Sequence, residues 1–244
     1  MSPKFILWAI VAFAILGLGG EALQHYVGNL GLPTTPTIPI TSTTTTVPSG
    51  AQGPLTMSEF LGLRQIGTAA APQFTLKDQQ GRSWALSSAR DKVVVLAFYD
   101  ANCNDICPVL GAEIKAANRL LGVQASKVDF VIVNTNPHDL RTSSSPPALV
   151  VPGLANVSNV RFVTGSLSVI NTVWTNYGIS IRVGAHPSDE THNNLMYFID
   201  PAGRLRVQID PFAHENAFGV VSLNASEMNR FARGIANVAD SLVK

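Results

Sequence analysis

The chain has 244 residues, a formal net charge of +1, and only 14% charged residues. Lys and Arg form no block, which excludes a phosphate-tracking nucleic-acid surface. The length allows one or two domains, and the segments below argue for one domain behind an anchor and a stalk.

Residues 5–20 carry no charge, and Ala22 and Leu23 extend the apolar run past Glu21. A helix over this run spans about 28 Å, close to a bilayer core. Lys4 precedes it, and the next Lys or Arg is Arg64. That asymmetry predicts a cytoplasmic N-terminus and an exported remainder. A cleaved signal peptide is the rival, though no clean Ala-x-Ala site follows the run. The expected organisation is a membrane anchor at 1–24, a Thr/Pro-rich linker at 25–55 and a folded domain at 56–244. The linker, with Thr43, Thr44, Thr45 and Thr46 among its threonines, cannot build a core and is expected to be disordered and extended.

In the folded part the spacing predicts a short helix over 57–66. A hairpin follows, from Phe74 to Trp84 around Gly81. Val93–Tyr99 is an unbroken apolar run and predicts a buried strand. A helix over 108–121 ends at Gly122, and a second buried strand covers 128–135. Residues 136–159 form a long excursion with room for a short helix. A strand at 161–163, a helix at 166–177, an extended piece at 179–183 and a polar loop at 184–194 come next. A hairpin pairs 195–200 with 205–210, and an amphipathic helix over 226–242 closes the chain. Strand–helix–strand crossovers imply parallel neighbours, and the late hairpin adds antiparallel ones. The expectation is an α/β thioredoxin-like sandwich with a mixed central sheet.

Cys103 and Cys107 are the only cysteines, and they stand between the strand at Val93–Tyr99 and the helix that follows. Pro108 suits a helix start, which predicts Cys107 at the N-cap and Cys103 in the loop before it. Unpaired amides and the positive end of the helix dipole favour a thiolate there. If the loop curls helically, positions four apart face the same way. The sulfurs can then bond each other or grip one soft metal ion. A purely structural disulfide is the weaker reading, because so short a ring closes little chain entropy.

A metal needs another donor. The histidines are His25, His138, His186, His192 and His214. The strand at 195–200 is expected beside Val93–Tyr99, so a loop at its start can hang over the thiols. That ranks His192 first, His186 second and His138 third. Two thiolates and an imidazole suit copper in either oxidation state. Zinc is the rival, but its structural sites take four ligands. Met196 can serve as a weak extra donor, although it falls in the predicted strand.

With these residues in hand, the chain resembles the Sco/SenC family. Cys103, Cys107 and Pro108 match that family's Cys-x-x-x-Cys-Pro motif, with Asp105 inside it. His192, ahead of the apolar strand that ends in Asp200-Pro201-Ala202-Gly203, matches its distal histidine. The match extends over 68–242. It departs at Asn104, where the family has proline. It also departs at Thr191, which stands for the Asp of an Asp-His pair, and at Asn136-Pro137, which stands for Asp-Pro. The resemblance implies a thioredoxin fold and a copper ion, Cu(I) or Cu(II), held by Cys103, Cys107 and His192. It implies delivery to the CuA subunit of cytochrome c oxidase, or to another copper protein, from a single-pass anchor with the domain outside the cytoplasm. The alternative is a metal-free thiol–disulfide oxidoreductase using Cys103 and Cys107 as its redox pair. A peroxidase lacks support, because no Thr stands just ahead of Cys103.

Overall fold

The computed structural model describes residues 55–103, 105–142, 154, 157–186 and 190–243. The expected anchor at 1–24 and all but the last residue of the expected linker lie outside them. Among the described residues, no helix is long and apolar enough to cross a membrane.

Thr56 opens a single helical turn, α1 (Met57–Phe60), through a capping box with Glu59. The helix expected over 57–66 stops there. Gly62 takes φ +57, and the Leu63 and Gly62 amides donate back to the Ser58 and Glu59 carbonyls, the left-handed ending that glycine favours. Arg64–Gln65 is instead a short strand, β1, on a sheet edge. The expected hairpin forms from β2 (Thr75–Lys77) and β3 (Ser83–Ala85). Then come β4 (Val93–Tyr99), α2 (Ile106–Leu121), β5 (Val128–Asn134) and a short helix, α3 (Pro137–Thr142). Most of the rest of the 136–159 excursion lies outside the described residues. After it come β6 (Val160–Val163) and α4 (Leu167–Asn176).

One pairing interrupts the stretches that the sequence assigns to extended chain and loop. β7 (Ile181–Arg182) pairs antiparallel with β8 (Thr191–His192), so His192 sits on a strand rather than in a loop. Two residues are too few to show a period, and their hydrogen bonds come from a partner chosen by the tertiary fold. β9 (Met196–Ile199) and β10 (Leu205–Ile209) form the expected hairpin, with Gly203 at φ +77 in its turn. A small hairpin of β11 (His214–Glu215) and β12 (Val221–Ser222) precedes α5 (Ala225–Leu242).

The main sheet has six strands in the order β1-β10-β9-β4-β5-β6. β4, β5 and β6 run parallel, while β9 and β10 run antiparallel to their neighbours. The architecture is therefore α/β with a mixed central sheet. Alternating residues of β4 serve two cores. Val93, Val95, Ala97 and Tyr99 join α2 and α5 on one face. Val94, Leu96 and Phe98 join α4 and the β2–β3 hairpin on the other. A strand wet on neither face must be apolar throughout, which explains the unbroken run. Each large side chain buried this way stabilises by roughly 1.5–3 kcal/mol.

The α1–α5 packing is tight. A methyl group on Gly234 of α5 would stand 2.6 Å from Leu61 Cδ1 and 3.0 Å from its Cγ. Gly234→Ala is therefore expected to destabilise by about 1–2 kcal/mol, the overpacking strain outweighing the gain in helix propensity. A lower urea midpoint at unchanged slope is the expected reading.

Glu113 of α2 is fully buried, and neither carboxylate oxygen has a hydrogen-bond partner among the described residues. Burial raises its pKa from 4.5 to about 8. The folded chain keeps a proton that the unfolded chain gives up. Stability from this group therefore falls as pH rises from about 4.5 to about 8. Glu113→Gln is expected to be more stable than the parent at the upper end of that window, on the order of 3 kcal/mol, and to lose its advantage at the lower end. Urea melts across the window test this, and parallel pH profiles would refute it.

Candidate metal centre

β4 delivers the chain to the thiols. At its end Asp100 is buried, and its Oδ1 accepts from the Asn102 amide at 2.8 Å and from Asn136 Nδ2 at 2.9 Å. The Cys103 amide donates to the Asp100 carbonyl at 3.3 Å, which turns the loop back. α2 begins at Ile106 with Asp105 before it, so Cys107 lies within the first turn and not at the N-cap. Pro108 occupies the third helical position rather than the first. A helix tolerates it there because its first four amides have no intrahelical acceptor. Cys107 is fully buried, Cys103 half-buried, and both are free thiols.

The third group comes from β8. The His192 ring is held through Nδ1, which donates to the Asn193 carbonyl at 3.1 Å. A carbonyl can only accept, so in the neutral ring the proton sits on Nδ1 and Nε2 carries the lone pair. Nε2 stands 3.8 Å from Cys107 Sγ, although 85 residues separate the two in sequence. Asn193 fixes the stem further, accepting from the Ser180 amide and donating to the Gly178 carbonyl.

The three groups have unequal proton affinities. Hydrogen bonding from Cys107 lowers the Cys103 pKa to about 6, assisted by backbone amides and opposed by burial and the Asp100 charge. The Asp105 amide lies 3.4 Å from its sulfur. The same bond to Cys103, then burial, push the Cys107 thiol far up. The pair thus ionises first at the more exposed sulfur. Burial lowers the His192 pKa, keeping the ring neutral and able to donate electrons.

The structure brings Cys103, Cys107 and His192 into one region. His138 points elsewhere, its Nε2 facing Gly184 O at 3.3 Å and Glu190 Oε1 at 3.1 Å. His186 is exposed, and His214 meets Glu227. Met196 is fully buried in the sheet core and packs as a strand residue. Among the described residues, no three His, Cys, Asp or Glu groups stand as a ready-made coordination shell. The supports Asp100, Asn136 and Glu190 escape sequence reasoning. The only signal for the first is an acidic residue placed directly after an apolar strand, and for the last an acidic residue two positions before His192.

The SCO1/SenC family model matches residues 64–219. The chain belongs to this family. That span includes both thiols and His192, together with the strands that carry them. Three solved structures share the fold. The copper-bound ScoI of Bradyrhizobium japonicum is 23% identical, with 71% of this chain and 99% of that one aligned and a TM-score of 0.52. A SCO1/SenC family lipoprotein of Bacillus anthracis is 17% identical over 74% and 98%, with a TM-score of 0.55. BsSco belongs to the Sco family of cytochrome c oxidase assembly proteins and has an identified disulfide switch. It is 19% identical over 73% and 97%, with a TM-score of 0.51. No curated protein matches the chain.

The unequal thiols make a direct prediction. In the reduced, metal-free chain, iodoacetamide is expected to alkylate Cys103 with a midpoint near pH 6. Cys107 is expected to stay unmodified until the chain unfolds. Peptide mass spectrometry distinguishes the two sites, and an alkylation midpoint above pH 8 at Cys103 would contradict the asymmetry.

Proposed function

We propose that this protein binds one copper ion through Cys103, Cys107 and His192 and delivers it to the CuA subunit of cytochrome c oxidase, or to another copper-receiving protein, during assembly. The approach of His192 Nε2 to 3.8 Å from Cys107 Sγ carries this reading. Bonds of about 2.0 and 2.3 Å meeting one ion at about 110–120° separate a nitrogen and a sulfur by roughly 3.5–3.7 Å. The observed separation of these two donors lies just beyond the upper end of that range, which supports a shared ion. Cys103, more exposed and more acidic, closes onto them. The donor set is soft and suits Cu(I), with the imidazole accepting either oxidation state. Copper is bound in the related ScoI, and BsSco belongs to a family of cytochrome c oxidase assembly proteins.

Residues 1–24 form the membrane anchor in this proposal, 25–55 the linker and 56–244 the copper domain, which works outside the cytoplasm. The apolar run at 5–20 and the absence of Lys and Arg between it and Arg64 support that placement. An oxidising compartment lets the thiols rest as a disulfide, which removes both sulfur donors until the pair is reduced.

The lowered Cys103 pKa favours a second activity at the same residues, thiol–disulfide exchange. The Cys103 thiolate attacks a partner's disulfide and releases one partner thiolate. Cys107 then attacks Cys103 in the mixed disulfide, and its proton and the second partner sulfur leave together as a thiol. Two electrons pass to the partner, whose cysteines are then free to take copper.

Cu(I) titration of the reduced full chain is expected to reach one equivalent. Cys103→Ser and Cys107→Ser are each expected to abolish tight binding. His192→Ala is expected to weaken it by more than about 100-fold while leaving the fold intact. Full affinity in His192→Ala refutes the copper site. Disulfide-substrate turnover by metal-free protein, indifferent to that substitution, favours the exchange reading.

A further inference from the structure

We propose that His138 is the positioning residue that holds the His192 imidazole against the thiol pair. This rests on the copper site proposed above. His192 sits on β8, which pairs with β7; Gly184 lies just after β7 and Glu190 just before β8. The single Nε2 of His138 reaches a residue beside each strand, Gly184 O at 3.3 Å and Glu190 Oε1 at 3.1 Å. The Glu190 carboxylate is buried, so the imidazole approaches it away from water, where polar groups are least screened. Glu190 is two residues from His192. Whatever fixes the one limits the travel of the other.

The other side of His138 connects to the thiols. Its amide donates to Asn136 Oδ1 at 2.9 Å, and Asn136 Nδ2 donates to Asp100 Oδ1 at 2.9 Å. Asp100 in turn receives the Cys103 and Asn102 amides. One continuous chain of hydrogen bonds therefore runs from the thiol loop, through α3, to the hairpin that carries the imidazole. His138 is the link that joins the two halves. It is not a ligand, because its Nε2 is engaged with Gly184 and Glu190. Its effect is to set the donor spacing before copper arrives, and outer partners of this kind typically change metal affinity by about 10–100-fold.

The test is competition for Cu(I) against a chromophoric chelator, on the reduced full chain, in a double-mutant cycle. His138→Ala is expected to lower affinity about tenfold, and His138→Gln, which keeps an N–H near the same place, to recover most of it. In the His192→Ala background, His138→Ala is expected to add no further loss, because its action runs through that ring. Thermal unfolding monitors the fold. If His138→Ala does not fold, Glu190→Gln takes its place, with the same expected non-additivity. Unchanged affinity in His138→Ala, or an equal loss in both backgrounds, overturns the inference while the weakening by His192→Ala leaves the copper site standing. Unchanged affinity in His192→Ala overturns the copper site and this inference with it.

Discussion

The antiparallel pairing of β9 with β4 is the constraint on which the site depends. β4 runs toward the thiols and ends at Tyr99, four residues before Cys103. β9 runs the other way, so its beginning lies where β4 ends, with Met196 opposite Ala97. A residue just upstream of β9 must then arrive above the thiol loop, and His192 is that residue. Register matters as much as direction. A slip of one position would carry Phe198 and Met196 to the opposite face and their neighbours into the wrong core. Because both faces of β4 are filled, by α2 and α5 on one side and by α4 and the first hairpin on the other, such a slip is strongly opposed.

Burial then divides the chemistry among the three groups. Cys107 is locked in the first turn of α2 and inside the core, so it is a fixed point. Cys103 lies in the loop, more exposed, and takes the negative charge first. His192 is kept neutral by its surroundings and held by one hydrogen bond that selects the tautomer. Asp100 opposes thiolate formation electrostatically, yet its carbonyl and carboxylate hold the Cys103 loop in shape. The loop is thus ordered by a residue whose charge makes its product harder to ionise. The helix amides and the neighbouring thiol outweigh that charge at Cys103.

The long elements were legible in the sequence because their signals are local. Val93–Tyr99 and Val128–Asn134 are continuous apolar runs, and α5 has Phe231 and Ile235 on one buried stripe. The thiol pair and the first-ranked histidine were legible too, since strand order alone brings 192 toward 103. The two-residue strands were not. β1, β7 and β8 owe their hydrogen bonds to distant partners, and no two-residue stretch carries a period. The start of α2 was misjudged by two residues because proline suits any position of a first turn, not only the first. The sequence ranks His138 third among the candidate ligands, because Gly184 and Glu190 come within its reach only when the hairpin folds back.

The same layout separates the thiol loop from the imidazole mechanically. A disulfide needs the two sulfurs at about 2.05 Å, and Cys107 cannot leave the core to meet its partner. Cys103, which lies in a loop, must therefore supply most of the movement. His192 is tied to the β7–β8 hairpin through Asn193 and does not share that loop. A disulfide between the thiols would leave the His192 ring tied where it is. One thiol fixed in a helix, one imidazole fixed on a strand pair and one thiol in a loop therefore respond to change separately.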